Sequence, residues 1–159
     1  MKTLFLFPNQ YKKIGWIVFI PSFVASLIIS FLDLSTDNYC QVNVFAILND
    51  SISGENGYFT ISKNSIIDEV LLFSLIIGGI LIGFSKLKIE DEFTTKIRYE
   101  SLVWATYLNY GLILFFTFFF YGIWFLNVLF YNTFTLLLFF IIRFHYMIYK
   151  LNNSTSDDE

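Results

Sequence analysis

Glu90, Asp91 and Glu92 form an acidic triplet in a run that also carries Lys88, Lys96, Arg98 and Glu100. Such a cluster can be catalytic or can hold a hard cation through carboxylate oxygens. A cation site needs more oxygen ligands than one triplet presents, and no second acidic cluster stands beside it in the sequence. Helical spacing gives a plainer account. Lys88, Glu92, Lys96 and Glu100 fall four apart with alternating sign, the pattern of a solvated, self-paired helix, at roughly 0.2–0.5 kcal/mol per pair. The triplet suits a helix N-terminus, where negative charge is favoured. Arg98 lies outside the paired row, and Glu100 ends it just before Ser101 and close to Trp104. Glu90, Asp91, Glu92, Arg98 and Glu100 are therefore the candidate residues for docking a protein partner.

The remaining chemistry is sparse. Cys40 is the single cysteine and His145 the single histidine. One thiol forms no intramolecular disulfide, and one histidine and one cysteine leave no zinc-type ligand spacing. There is no nucleophile beside a base, no phosphate-binding glycine loop and no nucleic-acid module. The chain is expected to be no enzyme, to hold no metal or cofactor, and to bind no nucleic acid.

The elements that carry these residues follow from composition. Of 159 residues, 56% are hydrophobic, 21% aromatic and 14% charged. Soluble domains carry about 25% charged residues. The deficit, with the apolar residues arranged in long blocks and a mean hydropathy of +0.63, places the chain in a bilayer. The expected fold is an all-α membrane protein with four transmembrane helices in two helical hairpins, at about 14–32, 67–86, 101–121 and 126–146. Residues 1–150 form one domain, with a helical stem at 88–100, a loop at 33–65 and a disordered acidic tail at 151–159.

Span one contains Pro21, which frees a carbonyl and predicts a kink. Ser26 and Ser30 only weakly imitate a signal-peptide cleavage site, because the apolar run continues to Leu32, so an uncleaved span is expected. Ser22, Ser26 and Ser30 line one narrow face, and Gly79 with Gly83 in span two makes a GxxxG pair. Such small residues permit close helix approach. The simplest pairing sets the serine face into the glycine groove, with homodimerisation as the alternative. In the 33–65 loop, residues 42–48 and 58–62 have strand composition around Gly54 and Asn56-Gly57, which predicts a small β-hairpin. Residues 101–142 carry no charge. As one helix they would reach about 60 Å, twice a bilayer core, so a turn is expected at 121–127, with Gly122 reversing the chain and Asn127 capping the next helix.

Nine of the ten Lys and Arg residues fall on one side of these spans, and Lys63 alone on the other. The positive-inside rule then sets both termini and the stem in the cytosol and the 33–65 loop outside. Asn109, Asn127 and Asn132, with several threonines, lie at membrane depth, where such groups bond across helices. No ionisable residue lies within a span core, which weighs against proton-coupled transport. Arg143 and His145 are at the inner boundary, placed to reach headgroups.

Glu90-Asp91-Glu92 followed by Arg98, Glu100-Ser101-Leu102 and Trp104-Ala105 resembles a group of uncharacterised small multispanning inner-membrane proteins of Bacteroidetes-type bacteria. Lys12-Lys13-Ile14-Gly15-Trp16 with Pro21-Ser22 resembles their N-terminus, and Asn127-Val128, Tyr131-Asn132 and Ile142-Arg143-Phe144 their last span. The resemblance implies an inner-membrane location and brings no activity. The sequence therefore points to an interaction, regulatory or scaffold protein that meets membrane lipid, a second copy, or another membrane or cytosolic protein. The alternative is a subunit of an oligomeric transporter or pore.

Overall fold

Among the described residues, four helices and one antiparallel strand pair follow one another in the order α1 (Asn9–Phe31), β1 (Gln41–Asn49), β2 (Gly57–Ser65), α2 (Ile67–Gly83), α3 (Glu92–Phe119) and α4 (Ile123–Ser156). The computed structural model describes residues 5–32, 40–49, 57–88 and 90–156. Among the described residues, three helices are long and apolar enough to cross a membrane: Asn9–Phe31, Glu92–Phe119 and, within α4, Phe125–Leu151. α2 is shorter, at 17 residues.

Local sequence explains most boundaries. Pro8 precedes α1 and lacks only an N–H that a first turn does not use, so the helix starts at Asn9, earlier than the apolar run suggests, and continues through Pro21. Asp91 caps α3, so that helix begins at Glu92 and leaves Glu90 in the preceding connection. The turn between α3 and α4 is tighter than the expected 121–127. Phe120 closes α3 and Gly122, at φ +68, reverses the chain. A side chain is strained at that φ, whereas glycine is not. Asn127 consequently caps nothing and lies exposed within α4. The expected disordered tail is helical as far as Ser156, where α4 ends.

The chain divides into two compact units, Met1–Ile20 with Leu75–Glu159, and Pro21–Ser74. In the second, β1 and β2 pair in register from Gln41 opposite Ser65 to Asn49 opposite Gly57. This contains both expected strands; the expected turn residues Gly54 and Asn56 lie outside the described residues. Phe59 takes φ +56, and its ring lies 6.2 Å from that of Phe45.

The first unit holds the core. Ile97 and Ala105 from α3 meet Phe140 and Phe144 from α4, flanked by Phe84, Leu102 and Met147. Ala105, fully buried, has the small side chain that lets the two helices approach. The glycines of α2 do the same. A Cβ on Gly83 would meet the Phe140 ring, one on Gly79 would meet Leu137 and Phe19, and one on Gly78 would meet the Phe19 backbone. α1 contributes Gly15 to this approach, 3.0 Å from the Gly78 carbonyl by the same measure. Of the serine face, Ser22 is buried, Ser26 half-buried and Ser30 exposed. Large apolar side chains elsewhere face outward, among them Tyr107, Leu114, Phe118 and Ile123. A water-soluble monomer rarely exposes so much apolar surface, whereas a bilayer solvates it.

Candidate functional site

The charged segment folds around a buried arginine. One and a half turns into α3, Arg98 points inward and is 7% exposed. Its Nη1 donates to Glu90 Oε1 at 2.5 Å and its Nη2 to Glu90 Oε2 and to the Ser85 carbonyl, both at 3.3 Å. The guanidinium lies 4.9 Å from the centroid of the Phe144 ring. Glu90 also accepts from the Leu87 N–H at 2.8 Å. Arginine is suited to this place because its planar fork serves two acceptors while its face lies against a ring. One side chain thus ties α3, α4 and the connection after α2 together.

That connection is also held from the N-terminal segment. Phe7 N–H donates to the Phe84 carbonyl and Lys86 N–H to the Phe7 carbonyl, both at 2.9 Å. The Asn9 side-chain amide donates to the Lys86 carbonyl at 2.7 Å. The Ser85 hydroxyl bonds the Leu81 carbonyl. Backbone groups that would be orphaned past the end of α2 are satisfied in this way.

Asp91 accepts from the Thr94 N–H at 2.7 Å, and its carbonyl accepts from the Thr95 hydroxyl at 3.1 Å. Its carboxyl is held below the usual carboxylate range, first by the side-chain hydrogen bond with Thr94 and then by the Thr94 backbone N–H. Hydrogen bonds to the charged form favour it.

The five expected docking residues therefore separate. Asp91, Glu92 and Glu100 are exposed. Glu90 and Arg98 instead pair with each other, with side-chain exposures of 15% and 8%. A buried guanidinium left without a carboxylate would be costly, so the burial of Arg98 requires that of Glu90 beside it. The alternating row is realised only at its end, where Lys96 and Glu100 stand 4.0 Å apart. Lys88 precedes the helix and cannot join it.

Of the three asparagines expected at membrane depth, Asn109 is buried with its Oδ1 unpartnered, Asn132 is half-buried and Asn127 exposed. The threonines bond their own helices: Thr106 to the Leu102 carbonyl and Thr135 to that of Tyr131, both at 2.8 Å.

A second arrangement brings together residues that no sequence spacing relates. The Arg143 guanidinium lies 4.7 Å from the centroid of the Trp104 ring. Nearby, the His145 ring sits 5.6 Å from that of Trp16, with Nδ1 2.9 Å from the Ile141 carbonyl. The notable signals were a tryptophan and an arginine each at the edge of an apolar run; their contact was not readable because it crosses two helices. Among the described residues, no group of three or more His, Cys, Asp or Glu side chains could hold a metal ion.

No family model, curated protein or solved structure matches this chain. Fold and composition together define a small multi-span membrane protein.

Proposed function

We propose that the chain is a four-span bacterial inner-membrane protein, with both termini in the cytosol, that acts as an interaction or regulatory protein through the exposed base of α3. The observation that carries this reading is the Arg98–Glu90 clamp. It anchors the start of α3 to the rest of the first unit, and it leaves Asp91, Glu92, Phe93, Lys96 and Glu100 exposed on a fixed support. A rigidly held surface loses little conformational freedom when a partner docks.

The topology has separate support. With four spans, nine of the ten basic residues would fall on one side of the membrane. α2, with 17 residues and two glycines among its buried positions, is at the short end of the range for a span, about 17–25 residues. Asp68 and Glu69 stand in its first turn, where the helix dipole favours them.

A pore or transporter subunit has less support. The threonine hydroxyls that would line a polar path are bonded within their own helices, and α3 and α4 carry no charge between Ser101 and Ile142.

The test is crosslinking in native membranes followed by recovery of the chain. A variant combining Glu92→Lys, Lys96→Glu and Glu100→Lys inverts the exposed charges and spares the clamp. Loss of a crosslinked partner, or of a homodimer band, is the expected result. Unchanged products would refute docking through this surface.

A further inference from the structure

Tyr99, Glu100, Val103, Trp104 and Tyr107 of α3 line an open-sided cleft of about 330 Å³ together with Arg143 of α4. We infer that this cleft binds the phosphate of an anionic phospholipid, with Arg143 as the cation that holds it. The inference does not depend on the docking surface; it needs only that α3 and α4 cross a membrane.

Three observations carry it. First, Arg143 is an uncompensated charge. Its Nε is buried without a hydrogen-bond partner. Among the described residues no carboxylate lies within 4.0 Å of it; the ion pairs are Lys96 with Glu100 and Arg98 with Glu90. Glu100 shares the cleft but is engaged by Lys96 at its edge. The difference from Arg98, whose Nε is likewise buried without a partner, is that Arg98 has the Glu90 carboxylate. Second, the cleft stands where a headgroup would be. Arg143 is the first charge after the uncharged stretch from Ser101 to Ile142, and tryptophan and tyrosine prefer the headgroup level. The guanidinium lies over the Trp104 ring, and an arginine placed against a ring can still meet a phosphate through its N–H groups. Third, the cleft continues as an acyl-chain track. Tyr107, Tyr110, Leu114 and Phe118 follow at helical spacing on the same face of α3, and all are exposed. Gly111 adds no side chain to that track, with open space around its Cβ direction. A soluble phosphate would use the cation alone; a lipid uses both the cation and the track. Basic clefts between helices at a membrane surface suit anionic headgroups.

The experiment uses the full chain in vesicles, with Trp16→Phe and Trp124→Phe so that Trp104 is the only fluorophore of its kind. Phosphatidylglycerol or phosphatidylcholine with brominated acyl chains is added at equal mole fraction to a phosphatidylcholine host, and quenching of Trp104 is read. Brominated phosphatidylglycerol is expected to be enriched about fivefold over bulk at the tryptophan, the factor that one cation contributes near an anionic surface. The enrichment falls with added salt, disappears in Arg143→Gln and is partly retained in Arg143→Lys. Equal quenching by the two lipids, or an enrichment that survives Arg143→Gln, overturns the inference. Should Arg143→Gln lose its helical circular dichroism, competition on the tryptophan-reduced chain decides. Reversal by unbrominated phosphatidylglycerol but not by glycerol 3-phosphate supports a lipid site, whereas displacement by glycerol 3-phosphate, or no reversal, overturns it.

Discussion

Arg98 and Phe144 face each other across α3 and α4, with the guanidinium 4.9 Å from the ring centroid. Phe144 is fully buried, so the cation stands against the main apolar core. It is tolerated there because Glu90 closes over its other side at 2.5 Å. The charged segment is thus built as a lid whose inner surface is one ion pair and whose outer surface is free.

Removing one partner of this pair should be more harmful than removing both. Arg98→Gln strands the Glu90 carboxylate, and Glu90→Gln strands a guanidinium, each at a cost of about 3–5 kcal/mol. The double variant Glu90→Gln with Arg98→Met leaves no unpaired charge. Thermal unfolding in detergent is expected to place the double variant above the Arg98→Gln single variant, a non-additivity that reports direct coupling.

The glycines should divide by what surrounds them. At Gly78 an added Cβ would sit 3.0 Å from the Phe19 backbone nitrogen, which cannot swing aside. Gly78→Ala is expected to destabilise by about 1–3 kcal/mol, as overpacking does. At Gly111 nothing lies within 4 Å. Gly111→Ala is expected to be neutral to about 1 kcal/mol stabilising through helix propensity. The comparison is made on melting temperatures of the purified chains.

The cap on α3 should loosen in acid. The folded-state pKa of Asp91 is depressed by its bonds with Thr94. Its contribution is therefore present above the unfolded value of about 3.9 and is lost as the pH falls further, through the lower folded-state pKa. The Thr94 amide resonance, followed from neutral pH into acid, is expected to move toward its uncapped position in that window. In Asp91→Asn, which keeps an acceptor but no titrating carboxyl, that movement should be absent.

Orientation can be read from Cys40, the single thiol, which is free and exposed. A thiol reagent that cannot cross the membrane should label it in intact spheroplasts from outside and should fail in inside-out vesicles. The reverse pattern would invert the proposed topology.

How much was legible from sequence follows from the range of each interaction. Apolar run length, the charge break before Ser101 and the freedom of Gly122 are properties of adjacent residues. They sufficed for four helices, a turn near residue 122 and a strand pair over 42–48 and 58–62, which the ladder extends by a residue or more at each end. Even the small residues of α2 were recognisable as points of close approach. Their neighbours were not, because Phe19, Leu137 and Phe140 come from other helices. Helical spacing paired Glu92 with Lys96 and left Arg98 over, since it compares only residues of one continuous helix. Asp91 starts that helix after Glu90, so Glu90 could fold back and take Arg98 across eight positions. The sequence by itself determined which segments avoid water and where the chain turns, because those depend on local composition. Only the tertiary structure decided that Arg98 would be buried and paired while Arg143 would rest on Trp104 without a carboxylate. That choice depends on how the helices are rotated against one another, and rotation is set by the packing of the whole core.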